Sequence, residues 1–94
     1  MTINDFSSLP IKNKIIFEGE SIVLYDVMWS SNLYCFDKQG ILKWRVGSYQ
    51  YKECLFTYMS ITENSVLKAW DIHNRRFDVD LSNGELSNME QLLY

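Results

Sequence analysis

Hydrophobic and polar residues alternate with a period of two through most of this chain, and turn signals close each alternating run. Ile11 to Glu18 puts Ile11, Asn13, Ile15 and Phe17 on one face, with lysines at 12 and 14 between them. Gly19 breaks the run, and Glu18 to Ser21 reads as a hairpin turn. Ser21 to Trp29 then predicts a long strand. Val23, Tyr25, Val27 and Trp29 share one face, and Ile22, Leu24, Asp26 and Met28 share the other. Both faces are mostly apolar, as in a central strand covered on two sides. The clearest unit follows: Asn32 to Phe36 is one strand, and Ile41 to Val46 returns with Leu42, Trp44 and Val46 on one face. Between them Asp37 opens a turn that Gly40 closes, where φ > 0 is commonly needed.

The second half repeats this grammar. Gly47 to Glu53 is a polar, aromatic-rich connection whose Tyr49 and Tyr51 either extend a sheet or stand at its edge. Cys54 to Thr62 reads as a strand with apolar residues on both faces, and Glu63 to Ser65 as a turn. Val66 to Ile72 and Arg76 to Leu81 form a further hairpin, joined through His73. Phe77, Val79 and Leu81 face one way there, and Arg76, Asp78 and Asp80 the other. Asn83-Gly84 is a strong turn dipeptide. Glu85 to Tyr94 is ambiguous, because Leu86 fits a strand whereas Leu86, Met89 and Leu92 or Leu93 have helical spacing. Met1 to Pro10 is a lead-in. The pattern predicts one all-β domain over residues 1–94, with about seven antiparallel strands in hairpins forming a small barrel or a sandwich. Trp44 belongs in its core, with Val23, Tyr25 or their facing neighbours.

Composition narrows what such a domain does. With 94 residues the chain fits one modest core, and 47% hydrophobic and 15% aromatic content argue against disorder. A net charge of −3 lacks the basic excess of a nucleic-acid binder. No basic-then-apolar leader opens the sequence and no apolar run is long enough to span a bilayer, so the expectation is a cytoplasmic protein without membrane contact. Cys35 and Cys54 are read as buried thiols or, alternatively, as a disulfide. With His73 as the single histidine, no metal site or other cofactor is expected.

Candidate chemistry is sparse. Glu18, Glu20 and His73 are the residues a small hydrolase would use, yet nothing in their spacing supplies a third convergent group, so a catalytic role is not expected. The acids from Asp71 onward carry more information. Asp71, Asp78, Asp80, Glu85 and Glu90 face only Arg75 and Arg76 in that stretch. Asp78 and Asp80, two apart in a strand, are expected to share a face, and such a like-charged pair is better tolerated opposite a cationic partner.

The Asp37 hairpin also carries a resemblance. Leu33 and Tyr34, then Asp37, Gly40 and Trp44, resemble the strand-turn-strand core of the quinoprotein-type β-propeller repeat. A degraded copy runs from Phe77 through Val79, Asp80 and Gly84 to Asn88, with a turn one residue longer and Asn88 where Trp44 would stand. Asp37 and Asp80 are separated by the length of one blade, ~40–45 residues. Two copies cannot close a ring of about four to eight blades, so the resemblance implies blade-like local geometry and no quinone cofactor. The same look is similar to short stand-alone bacterial proteins, several of them akin to immunity proteins. It implies a cognate toxin as partner, covered at its active site, with the free protein a monomer or weak oligomer. The alternative is a self-assembling β-repeat module. Interface candidates are the charged or aromatic residues expected at exposed positions: Asp26, Tyr49, Tyr51, Asp71, Asp78, Asp80 and Glu85.

Overall fold

The computed structural model describes residues 8–92. Its strands are β1 (Ile11–Phe17), β2 (Glu20–Tyr25), β3 (Leu33–Phe36), β4 (Leu42–Arg45), β5 (Phe56–Ile61), β6 (Leu67–Asp71), β7 (Arg75–Val79) and β8 (Leu86–Gln91). They make two antiparallel four-stranded sheets, each in sequential order, β1-β2-β3-β4 and β5-β6-β7-β8. The domain is all-β, as its period-two pattern predicts. Of the two architectures left open it is the layered one, because the sheets do not close into a barrel. The eighth strand is β8, where strand alternation at Leu86 prevails over the helical spacing. Residues 93–94 and 1–7, which include parts of the tail and the lead-in, lie outside the described residues.

One core unites the sheets. Ile22, Leu24, Leu33, Cys35, Trp44 and Val46 from the first meet Cys54, Phe56, Met59, Leu67, Ala69, Phe77 and Val79 from the second. Val23, Tyr25 and Tyr34 form a separate cluster on the outer side of the first sheet. Strand β2 is therefore apolar on both faces, with Ile22 to Tyr25 all buried. It is shorter than the run to Trp29 predicts. At Asp26 the backbone N–H donates to Pro10 O at 2.8 Å, and Tyr25 N–H donates to Asn32 O at 3.0 Å, which turns the chain. Met28 and Trp29 consequently sit in an exposed loop.

Polar atoms lock the two layers together. Asn32 is 1% exposed, and its amide is spent entirely on backbone. Nδ2 donates to Tyr25 O and to Phe56 O, both at 2.9 Å, while Oδ1 accepts from Phe56 N at 2.8 Å. Asn13 Nδ2 donates to Met59 O at 3.0 Å. The open edge of β5 is thus occupied by side-chain amides of the first sheet instead of by another strand, one way of blunting a sheet edge. Across the molecule Trp44 Nε1 donates to Leu81 O at 2.8 Å. Gly84, at φ +78°, lies against the same indole; a Cβ there would fall 2.6 Å from Trp44 Cε3.

The β3–β4 and β7–β8 turns share a backbone pattern. Asp37 N–H donates to Ile41 O and Gly40 N–H to Asp37 O, just as Asp80 N–H donates to Glu85 O and Gly84 N–H to Asp80 O. Each aspartate carboxylate then accepts from the turn, Asp37 from Gln39 N and Ile41 N and Asp80 from Ser82 N and Oγ. Both cysteines are buried and free, so they are thiols rather than a disulfide. Burial, reinforced by the Glu20 carboxylate, pushes the Cys35 thiol up to about 11.

Candidate functional site

The acids of the second sheet do not gather. Asp71, expected on the surface, is 2% exposed. Its Oδ1 caps the β6–β7 turn by accepting from His73 N at 3.0 Å and Arg75 N at 2.9 Å, and its Oδ2 pairs with Arg75 Nη2 at 2.7 Å. A partner cannot reach it. Asp78 pairs with Lys68 on β6 and accepts from Asn88 Nδ2 at 2.8 Å. Burial works to raise its pKa, but these bonds and the Lys68 charge outweigh it and hold the carboxyl below its usual range. Asp80 lies beyond the end of β7 and is likewise held low by the hydrogen bonds of Ser82. Asp78 and Asp80 keep the expected alternation, with Phe77 and Val79 buried, but each carboxylate has its own partner, Lys68 for Asp78 and Ser82 for Asp80. Glu90 pairs with Arg76, and Glu85 is exposed.

The remaining candidates lie nearer the junction of the sheets. Tyr49 turns inward, its ring edge-on to Phe77 with centroids 5.2 Å apart. Tyr51 does the opposite and is fully exposed, at 103%. It belongs to a tight turn closed by two backbone bonds between Tyr49 and Lys52, with Gln50 at φ 50° and Tyr51 at φ 65°. Two consecutive positive φ values make this a type I′ geometry, which favours Asn-Gly; neither residue present is suited to it. Such backbone strain, where it occurs, concentrates at functional positions.

Beside this turn runs an open groove of about 400 Å³, lined by Ser31, Arg45, Gly47, Ser48 and Glu53 as well as Tyr51. Arg45 holds its far wall. Nε donates to Ser31 O at 2.8 Å and Nη2 to Ser30 O at 2.9 Å, while the guanidinium lies 5.3 Å over the Tyr34 ring. These bonds fix the β2–β3 loop, which carries exposed Met28, Trp29 and Asp26. Asp26 has only a loose pair with Lys12, at 3.9 Å. Met, Trp, Tyr and Arg are the side chains enriched in protein interfaces. Of the residues expected from sequence, Tyr51 lines this groove, Asp26 lies beside Lys12 and Pro10, and Asp78, Asp80 and Glu85 belong to the other sheet and its last turn.

A second feature is one that reading the chain does not reveal. The outer face of the second sheet carries a row Tyr58, Trp70, Arg76 and Glu90, one residue per strand in register. Tyr58 and Trp70 rings are 5.1 Å apart, and Arg76 lies 5.9 Å from the Trp70 ring. The signal is nonetheless present: each of these residues takes the opposite phase to Met59, Ala69 and Phe77. It is hidden because Tyr58 and Trp70 read as apolar.

Glu20 is bound through both oxygens to Lys43 Nζ, at 2.9 and 3.0 Å, and His73 stands exposed in the β6–β7 turn. Among the described residues no group of His, Cys, Asp and Glu is placed to hold a metal ion. No described helix is long and apolar enough to cross a membrane.

Residues 8–91 match the family described as a domain of unknown function, DUF7957. The chain belongs to that family. Its match begins just before β1 and ends at the last residue of β8, so the family unit is the pair of sheets and not either one alone. No curated protein and no solved structure matches the chain.

Proposed function

We propose that this DUF7957 domain is a protein-binding inhibitor, an immunity protein that neutralises a cognate bacterial toxin by covering its active site. The observation that carries the binding reading is the Gln50–Tyr51 turn. A fully exposed tyrosine is held on a strained backbone at the rim of a groove. A projecting aromatic ring loses little entropy on docking and offers a large contact area, the usual character of an interface anchor. Arg45 and Glu53 supply charge in the groove itself, and Met28 and Trp29 are exposed on the β2–β3 loop whose Ser30 and Ser31 carbonyls Arg45 binds. The toxin itself rests on the resemblance of the Asp37 hairpin to immunity proteins, as does a cytoplasmic site of action.

The neutralised second sheet changes the expected recognition. Asp71, Asp78 and Glu90 already have cationic partners within the chain, so long-range steering falls to Glu53, Asp80 and Glu85 and, less, to Asp26 in its loose pair with Lys12. Association should slow only modestly with salt, far less than for a surface of five free acids. The test is co-expression with the toxin reading frame adjoining this gene, read by rescue of growth and by co-purification. Rescue and a stable complex are expected, with Tyr51→Ala weakening the complex at least ~30-fold, the threshold of an interface anchor. Failure of the wild-type protein to bind or rescue would sink the toxin reading. Full affinity in Tyr51→Ala would instead remove this turn from the interface.

A further inference from the structure

The outer face of the second sheet has a symmetry of charge that its role as a mere solvent face does not require. Its two rows run across the four strands in order. The first is Tyr58, Trp70, Arg76, Glu90; the second is Ser60, Lys68, Asp78 and Ser87, beside which Asn88 bonds Asp78 at a register shift in β8. The cations stand on β6 and β7 and the anions on β7 and β8, each ion pair being made within the face, Lys68 with Asp78 and Arg76 with Glu90. Tyr58 remains 52% exposed at one end.

A two-fold axis lying in the face, parallel to the strands and between β6 and β7, would exchange β5 with β8 and β6 with β7. Applied to these rows it places Trp70 opposite Arg76 of a second copy, Tyr58 opposite Glu90, Lys68 opposite Asp78 and Ser60 opposite Ser87 and its neighbour Asn88. Every juxtaposition is attractive: cation on ring, hydroxyl on carboxylate, ammonium on carboxylate, hydroxyl on amide. No like charges meet. Isologous pairing requires this kind of self-complementarity, and sheets packed face to face keep their strands within about 30° of alignment. Because the charges are neutralised before docking, their desolvation opposes contact less than that of free charges would.

We infer that this face binds a second copy of the same chain, forming a weak two-fold dimer through Tyr58, Trp70, Lys68, Arg76, Asp78 and Glu90. The strength follows from area. Four strands ~4.8 Å apart and about six residues long present roughly 400 Å². Two such faces bury about 800 Å², below the ~1,200 Å² of stable complexes. A dissociation constant on the order of 100 µM is expected, with the Tyr51 turn, on a different part of the surface, left free. This inference stands apart from the toxin reading and needs no partner of another kind.

The test is sedimentation equilibrium of the whole chain from about 10 µM to about 1 mM, a range that brackets the expected constant. Wild type should dimerise in this range, and Trp70→Ala should weaken the dimer at least ~10-fold. Lys68→Glu alone would set Glu against Asp78, and Asp78→Lys alone would set Lys against Lys68, so each variant should be monomeric. Mixed together, they juxtapose only opposite charges and should form a heterodimer. A wild-type chain monomeric throughout overturns the inference, as does a dimer indifferent to Trp70→Ala or a mixture that stays monomeric. Should a charge variant fail to give a β-type far-UV spectrum, dilution of the wild type followed by NMR decides the matter. Concentration-dependent shifts must then centre on the Trp70 indole, Tyr58 and Arg76; shifts confined elsewhere overturn it.

Discussion

Asn32 does more for this fold than its short polar side chain foretells. In the sequence it stands at a strand entrance after two serines and reads as a turn residue. In the structure its amide takes three backbone bonds, two of them to Phe56 of the other sheet. Replacing it with alanine would leave Phe56 N and O buried without partners, each costing about 1–3 kcal/mol. Asn32→Ala should therefore lose roughly 2–5 kcal/mol in urea unfolding; a loss under ~1 kcal/mol would show that water takes over the bonds. The cysteines behave oppositely, with their thiols placed to do nothing. Cys54 is raised by burial and Cys35 to about 11, and thiolate is the reactive form. Neither should react with a disulfide reagent in the native protein at about pH 8, and both should react at once in denaturant. Fast native labelling of one thiol would contradict its burial.

At the scale of elements, turn chemistry is the most legible part of the sequence. The Asp37–Gly40 and Asp80–Gly84 turns fall where Asp and Gly put them, and the alternation correctly identifies Phe77, Val79 and Leu81 as inward, but in β4 a register shift opposite Cys35 and Phe36 sends Leu42 to the outer cluster while Trp44 and Val46 face the core. Three more things escape it. The end of β2 is set by a bond to Pro10, a long-range contact with no local signature. Asp71 looks like an exposed acid because its partner Arg75 lies across a turn. Tyr58 and Trp70 are apolar enough to disguise an outer face as an inner one. The Gln50–Tyr51 turn also gives no warning, since its composition argues against its conformation. The double substitution Gln50→Asn, Tyr51→Gly should raise stability by about 1–3 kcal/mol by relieving the left-handed strain, while abolishing partner binding through loss of the ring. Thermal melts and binding on the same double variant separate the two effects; unchanged stability would mean the backbone there is unstrained. The second sheet adds a pH dependence. Asp78 has a folded pKa below the unfolded value of about 3.9. Its contribution is complete above that value and is lost as pH falls through the folded pKa. Acid unfolding should accordingly be less steep in Asp78→Asn than in wild type, with the difference confined to pH below about 4.

For the molecule as a whole, the question is whether two similar sheets are two folding units or one. Each is a four-stranded meander with its own hydrogen-bonded ladder, and each has an Asp-to-Gly turn at its last hairpin. Their apolar faces nevertheless supply a single core, Trp44 among them. The polar locks also cross between sheets: Asn32 to Phe56, Asn13 to Met59, Trp44 to Leu81. Separated, each sheet would expose an inner face of large aliphatic and aromatic residues in a chain of about 40 residues, the length below which domains rarely fold without added cross-links. The β5 edge would be stripped of both asparagine amides as well. Peptides covering residues 8–47 and 48–92 should each be unfolded by far-UV spectroscopy, and the intact chain should melt in one transition. Trp44→Ala, in the first sheet, should cost about 3–5 kcal/mol and shift the unfolding of both sheets together. The indole of Trp70, in the second sheet, reports this: its NMR signal should disappear at the same denaturant concentration as backbone signals of β2. A second sheet that outlasts the first in Trp44→Ala, or a half-chain peptide with a cooperative melt of its own, would make the shared core an accident of packing and the two sheets independent domains.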